Sequence, residues 1–171
     1  MTELLNVEFV DEHGVTRRLT SDELLIYLNV VAGAGNDTTT RLIGLAGKVL
    51  AEHPDQRRRL VDDPSLIPKA VEELVRFEPP APHVARYVTR DHRQFPPEGD
   101  VFDVNREVRA HLGFSVGAHY CLGSALARLA GRVALEEILK RFPEWEVDLA
   151  GAVFSSTSTI RGWDSMPASI R

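Results

Sequence analysis

The chain has 171 residues, of which 43% are hydrophobic and 26% charged, a composition typical of one globular domain and not of a disordered chain. Its 25 acidic residues outnumber its 20 lysines and arginines and give a net charge of −5, which disfavours binding to nucleic acid, and its single cysteine excludes an internal disulfide. The sequence shows no signal-peptide pattern and no apolar run long enough to span a bilayer, so we expect a cytoplasmic protein without a membrane segment.

The N-terminal residues predict a turn and then the start of a helix. Residues 7–11 and 15–19 flank a turn-like sequence at 12–14, a pattern that fits either a small hairpin or a loop. Thr20 is a good N-cap, and Glu23 three residues later completes a capping box. We therefore expect a helix to begin directly after Thr20.

The helical pattern continues to about His53, where Pro54 ends it, and predicts a helix roughly 45 Å long. Residues 24–32 are apolar on nearly every face, and a helix of that kind must be covered on all sides. The rest of the chain offers few helices to cover it. We therefore interpret the chain as part of a larger fold.

Shorter elements follow the long helix, without a clear domain boundary. The last predicted helix changes its apolar face midway, from Leu122, Leu126, Leu129 and Val133 to Leu135, Ile138, Leu139 and Phe142. The predicted elements are helices near Asp55–Val61, Pro68–Phe77 and Gly123–Phe142, a strand at Val84–Thr89, and short strands and turns from Trp145 to Ile160.

The lone cysteine lies in an unusual loop just before a predicted helix. One or two other residues separate the successive members of its pattern, which are Phe114, Gly117, His119, Cys121 and Gly123. The glycines allow a tight loop and a close approach to a flat ligand, and the helix start favours a thiolate. Such a thiolate ligates a metal or acts as a nucleophile, whereas a buried cysteine is simply a small hydrophobe. Both interpretations stay open on the residues alone. A zinc site is disfavoured because the chain has no second cysteine.

A polar sequence interrupts the long apolar helix. Gly33 and Gly35 each weaken it by about 1 kcal/mol relative to alanine. Asp37 lies where the helix is otherwise expected to be buried, and with Thr38 it is a candidate proton relay beside a loosened helix. The alternative is a polar face that turns to solvent here.

Two sets of charged residues, considered alone, are typical of solvent-exposed helix faces. Glu73 and Arg76 are i,i+3 neighbours, and Glu72 and Arg76 are i,i+4 neighbours, which usually pair weakly at the surface. The run Arg57–Arg59 is likewise interpreted as solvated.

Taken together and in this order, these features resemble the C-terminal half of a cytochrome P450, the heme-thiolate monooxygenase family, and most closely its soluble bacterial members. The loop that ends at Cys121 is similar to the heme-binding signature of the family. Ala34-Gly35-Asn36-Asp37-Thr38 resembles its oxygen-activation motif, and Glu73 with Arg76 resembles its structural ion pair. The resemblance implies a mainly α fold with minor β, built on the long helix, the Glu-x-x-Arg helix, and the cysteine loop with the helix that follows it.

The resemblance implies heme b (iron protoporphyrin IX) as cofactor, with Cys121 as the axial thiolate ligand of its iron. His119 and Arg86 match positions that contact the heme propionates, and Phe114 would pack beside the sulfur. Gly117 and Gly123 belong to the same heme-binding loop.

The implied reaction inserts one oxygen atom from O₂ into a small apolar organic substrate. Asp37 and Thr38 would supply protons during oxygen activation. Residues 81–84 and 157–160 would line the substrate pocket. A ferredoxin-type redox partner, with its reductase, would deliver electrons on the Cys121 side.

The sequence departs from the family pattern at three places. Few residues precede the long helix, so we expect residues 1–171 to be the C-terminal portion of a cytochrome P450 domain that lacks the N-terminal half. A further family segment is missing between Asp91 and His92. Val101 stands where many relatives carry the arginine that completes a triad with the Glu-x-x-Arg pair, although Arg106 is near in sequence.

Three functions are therefore compared. The first is a heme-thiolate monooxygenase, shortened here, and the second is a non-catalytic remnant of that family that binds heme weakly or not at all. The third, a cysteine hydrolase using Cys121 and His119, is disfavoured because residues two apart in a tight loop rarely point at each other. We expect this chain to bind heme weakly, to expose apolar surface from the long helix, and to self-associate.

Overall fold

The computed structural model describes residues 2–81, 99–108, 111–156 and 160–171, and is mainly helical with short strands. The chain divides into two compact units, one ending at Asp37 and one beginning at Thr38. Helix α2 (Ser21–Glu52) runs from the first unit into the second. Before it come helix α1 (Thr2–Asn6) and strands β1 (Phe9–Val10) and β2 (Thr16–Arg17).

The N-terminal hairpin, one of the two alternatives for residues 7–19, and the predicted capping box are both present. Strands β1 and β2 pair antiparallel, and the turn between them places Gly14 at a φ of 78°, which glycine adopts without steric cost. The Glu23 N–H donates to Thr20 Oγ1 (3.2 Å), and the Thr20 N–H donates to Glu23 Oε2 (2.8 Å). This reciprocal pair satisfies two backbone donors at the start of α2. Helix α1 was not predicted.

Among the residues that the structure describes, the second unit contains the rest of α2, three further α-helices and four short strands. Strands β3 and β6 pair antiparallel, as do β4 and β5. Within the described ranges, no helix is long and apolar enough to cross a membrane. The predicted strand at 84–89 lies outside the described residues. The elements are α3 (Pro54–Asp62), α4 (Ile67–Phe77), α5 (Ser124–Arg141), β3 (Trp145–Val147), β4 (Val153–Ser156), β5 (Arg161–Ser165) and β6 (Ala168–Ile170).

Helix α4 is the centre of the core of the second unit. Seven of its eleven residues are buried, and they pack with α2, α3 and α5. Gly131 of α5 lies so near α4 that an added Cβ would be 3.3 Å from Val71 Cγ1. The core includes Leu42, Ala46, Val49 and Leu50 of α2, Leu60 of α3, Ile67, Val71, Leu74 and Val75 of α4, Phe102, Val104 and Phe114 between helices, Leu135 and Leu139 of α5, and Trp145.

The prediction that the arginine run at 57–59 is solvated is wrong for Arg57, which is only 8% exposed. Its guanidinium lies over the Trp145 ring (4.4 Å from Cζ to the ring centroid) and donates to the Trp145 carbonyl oxygen (2.8 Å). Burial, with a smaller effect from the charge of Arg58, lowers the pKa of Arg57. The partner is 88 residues away in sequence, which local charge patterning cannot reveal.

Two apolar helix faces are exposed, in line with the expected shortage of covering helices. In the first half of α2, Leu25, Ile26 and Val30 are 62–65% exposed, and of the apolar residues at 24–32 only Leu24 is buried. Helix α5 shows the predicted change of face. Its C-terminal apolar face buries Leu135 and Leu139, whereas Leu122, Leu126, Leu129 and Val133 are exposed.

Candidate functional site

The loop that carries Cys121 is closed by its own backbone. The Cys121 N–H donates to the Phe114 carbonyl oxygen (2.8 Å), so the two ends of the loop are joined. The Tyr120 N–H donates to the Gly117 carbonyl oxygen (3.0 Å), and the Ser124 N–H at the start of α5 donates to the Cys121 carbonyl oxygen (3.2 Å). Phe114 is buried while Cys121 is exposed, so the loop presents its thiol at the surface from an anchored base.

The glycines of the loop have open space where a side chain would lie. Gly117 has a φ of 66°, and neither it nor Gly123 has an atom within 4 Å of where a Cβ would lie. The apolar side chains of Val116 and Leu122 are 61% and 74% exposed. The loop that carries the exposed Cys121 therefore also carries exposed apolar side chains, and its glycines permit a flat group to approach the backbone closely.

A buried ion pair lies on α4, the helix at the centre of the core. Glu73 and Arg76 are both 0% exposed, with Arg76 Nε 2.6 Å from Glu73 Oε2. Arg76 also donates to the Gly99 carbonyl oxygen (2.7 Å). Arg106 Nε completes the cluster at 3.2 Å from Glu73 Oε1, so the triad that Val101 put in doubt contains Arg106. One buried carboxylate thus faces two guanidinium groups, as burial of charge requires.

The neighbouring Glu72 pairs away from Arg76. Its carboxylate binds His111 Nε2 (2.9 Å) and forms a two-pronged ion pair with Arg128 of α5. Burial alone would raise the pKa of Glu72, but hydrogen bonds from His111 and Arg128 and the charge of Arg128 outweigh it and lower the pKa to about 2. Sequence reasoning missed Arg128 and His111. The one signal available was an arginine two helical turns after Cys121.

Comparisons with known proteins agree with this geometry. The family model described as Cytochrome P450 matches residues 94–153. Cytochrome P450 130 of Mycobacterium tuberculosis is 39% identical over 168 residues, covering 84% of this chain and 42% of that protein. The 6-deoxyerythronolide B hydroxylase of Saccharopolyspora erythraea is 34% identical over 176 residues, covering 88% and 43%.

A solved structure shows the same backbone arrangement. Cytochrome P450 CYP109Q5 from Chondromyces apiculatus superposes with a TM-score of 0.85 at 32% identity, covering 99% of this chain and 48% of that one. The chain belongs to the cytochrome P450 family. It spans less than half the length of these P450 relatives.

Within the P450 fold, the residues around Cys121 fit a heme group. A thiolate is one of the protein ligands that heme iron takes. The open space beside Gly117 and Gly123 and the exposed apolar side chains nearby suit a flat macrocycle. His119, expected at a propionate, is exposed on the 3₁₀ turn Gly117–His119.

The residues of the oxygen-activation motif lie on an uninterrupted helix. Asp37 and Thr38 are consecutive on α2, which continues through Gly33 and Gly35 without a break. Asp37 is exposed, which matches the alternative of a polar face that turns to solvent, and the apolar residues before it on α2 are largely uncovered too. The expected loosening of the helix at its glycines is not seen.

Several residues predicted from the sequence lie outside the described ranges. These are Arg86, most of the expected pocket residues at 81–84 and 157–160, and the joint between Asp91 and His92.

Proposed function

We propose that this chain is the heme-binding portion of a heme-thiolate monooxygenase. The observation that carries the proposal is the exposed Cys121 thiol, held on a loop closed by the 2.8 Å bond between Cys121 N and Phe114 O and bordered by exposed apolar side chains. Heme b, when bound, supplies an iron that activates O₂ for insertion of one oxygen atom into an organic substrate.

The loop residues then hold and shield the ligand atom. Cys121 Sγ would bind the heme iron as a thiolate. Phe114 limits water on the protein side of the sulfur, and Gly117 and Gly123 permit close approach. His119 and Arg86 bind the propionates by charge and hydrogen bonding.

Asp37 and Thr38 have the proton-handling role. A carboxylate next to a hydroxyl on one helix turn can pass a proton through the Thr38 Oγ1–H to a reacting oxygen and recover it from solvent, to which Asp37 is exposed. The same proposal assigns a ferredoxin-type partner with its reductase as electron donor, and a small apolar organic molecule as substrate.

The chain is proposed to be the C-terminal portion of a P450 domain that lacks an internal segment between Asp91 and His92. The lengths of the alignments support this. The alignment with the M. tuberculosis protein has 168 positions but includes only 84% of this chain, which is about 144 of its 171 residues. About 24 positions of the alignment are therefore gaps in this chain. The match to the S. erythraea hydroxylase leaves about 26 such positions by the same arithmetic.

A second candidate is a non-catalytic remnant that binds heme weakly or not at all. The exposed first half of α2, with Leu25 and Ile26 more than 60% exposed, favours this alternative. An apolar helix face that a complete domain would cover is open to solvent there, and exclusion of water from the active site is part of the reaction.

The test is a titration of the purified chain with hemin, followed by the reduced, carbon-monoxide-bound difference spectrum, with Cys121→Ala as control. We expect a red-shifted Soret band that is absent from the control, and weak binding, so that heme is lost on gel filtration. No band, or the same band in the control, would favour the remnant. Stoichiometric heme that survives gel filtration would contradict the weak binding.

A further inference from the structure

A chain of contacts connects α4 to both sides of the Cys121 loop, and Arg128 is its central residue. Arg128 binds Glu72 with Nε and Nη2, the latter at 3.0 Å. Its Nη1 donates to the Tyr120 hydroxyl (3.1 Å), and its Cζ lies 4.4 Å from the centroid of the Phe114 ring. One guanidinium thus touches the residue before Cys121 and the residue that accepts the Cys121 N–H.

The other end of this chain is anchored by a buried histidine. The side chain of His111 is only 4% exposed, and its Nδ1 accepts the Gly113 N–H (3.0 Å). Nε2 therefore carries the proton in the neutral ring and donates to Glu72 Oε2. The carboxylate is held from two directions, so the Arg128 side chain has a fixed partner.

The planar shape of the guanidinium explains why an arginine stands here. The edges of the Arg128 guanidinium donate hydrogen bonds to Glu72 and Tyr120, and its face lies over the Phe114 ring. A lysine ammonium cannot make these three contacts at the same time. A side chain 36% exposed would gain little from a single surface pair, but a multidentate contact fixes its geometry.

We infer that Arg128 is a positioning residue that holds the Cys121 loop in its ligand-presenting conformation by clamping Phe114 and Tyr120 onto Glu72. The benefit to heme ligation rests on the proposed function, whereas the hold on the loop does not. The inference can therefore be tested with and without heme.

The first test needs no heme. Hydrogen exchange of the Tyr120 and Cys121 amides is compared in wild type, Arg128→Gln and Arg132→Gln. Arg132 is the matched control, because it lies one turn along α5 in an exposed pair with Glu136 (2.7 Å). We expect about tenfold faster exchange in Arg128→Gln, from loss of charge-assisted bonds, and no change in Arg132→Gln.

Two further variants separate positioning from stability. Tyr120→Phe removes only the hydroxyl contact with Arg128, so we expect a smaller increase in the exchange rate of the same amides. This variant replaces Arg128→Gln in the test if Arg128→Gln does not fold. Leu60→Ala lowers the stability of the core without touching the loop, and it raises exchange across the unit and not selectively at Cys121. Equal exchange at Cys121 in the Arg128 and Arg132 variants overturns the inference.

The second test uses the hemin-loaded chain at matched heme content. In Arg128→Gln the reduced, carbon-monoxide-bound spectrum should shift from the thiolate band towards the band of a neutral-thiol complex, while Leu60→Ala and Arg132→Gln keep the thiolate band. If wild type shows no thiolate band, the proposed function fails and the exchange result still decides the positioning role. If exchange changes but the thiolate band does not, the effect on ligation is overturned.

Discussion

Ser115 has a backbone conformation that glycine adopts at lower cost than serine. Its φ of 68° and ψ of −170° lie in a region populated almost only by glycine, and such residues cost on the order of 1–3 kcal/mol. The strain lies one residue after Phe114, at the base of the cysteine loop.

We expect Ser115→Gly to raise the free energy of unfolding by about 1 kcal/mol, since the relief of strain exceeds the entropy lost by glycine. Urea denaturation followed by circular dichroism measures the change. Ser115→Ala keeps the Cβ and should show no gain. A loss of stability in the glycine variant would mean that the serine is not strained.

The carboxylate of Glu72 makes stability depend on pH. Its pKa is lowered to about 2 because bonds from His111 and Arg128 outweigh the effect of burial, so its contribution is complete above the usual value of 4.5 and is lost as the pH falls towards 2. The loss is on the order of 2 kcal/mol for a side chain about one-quarter exposed.

We expect Glu72→Gln to flatten the dependence of stability on pH between 4.5 and about 2, as measured by urea denaturation at graded pH. The comparison variant is Glu136→Gln, from an exposed pair on α5. If both variants retain the slope of wild type, the Glu72 pair does not determine it.

At the scale of elements, two glycines on helices have opposite surroundings. Gly33 of α2 has open space where a Cβ would lie, whereas at Gly131 of α5 the same atom would press against Val71. Gly33→Ala should stabilise its helix by about 0.5–1 kcal/mol. Gly131→Val should destabilise the core by about 1–3 kcal/mol because it overpacks. Thermal denaturation of both variants measures whether the melting temperature rises or falls. A change of melting temperature in the same direction for both variants would contradict this account.

The helices could be predicted closely because local signals mark their ends. Thr20 and Glu23 determine the start of α2, and Pro54 separates α2 from α3. Helix α1 has only five residues and lacked such signals. The exact bounds of the strands could not be predicted either, because strands of two residues depend on pairing with each other as much as on residue propensity.

Pairing between elements was harder to predict than the elements themselves. The sequence offered two glutamates and one arginine on α4, and spacing alone could not tell which glutamate Arg76 binds. In the structure Arg76 binds Glu73, whereas Glu72 binds Arg128, which is 56 residues away in sequence. The cysteine and its glycines were predictable because their chemistry is local. The network that holds them was not.

For the whole molecule, the exposed apolar faces predict association. Leu126 and Leu129 are 66% and 57% exposed on one face of α5, and several residues of α2 are equally uncovered. An exposed apolar helix face is a site of association or aggregation. We expect oligomers in sedimentation experiments and binding of an apolar dye.

Changing Leu126 and Leu129 together to Glu should shift the population towards monomer. The control is Arg132→Glu, which adds a carboxylate on the exposed side of the same helix. We expect it to change the fraction of monomer less. A sharp monomer for the wild-type chain, without dye binding, would contradict the prediction.

The solitary thiol also determines how the chain must be handled. Because Cys121 is the one cysteine and lies exposed, air oxidation can join two copies only through this atom, and every disulfide-linked pair removes two ligand atoms. A thiol-reactive dye would for the same reason label one position and no other. The reactive-thiol titre of a preparation therefore counts its usable sites directly, before any cofactor is added.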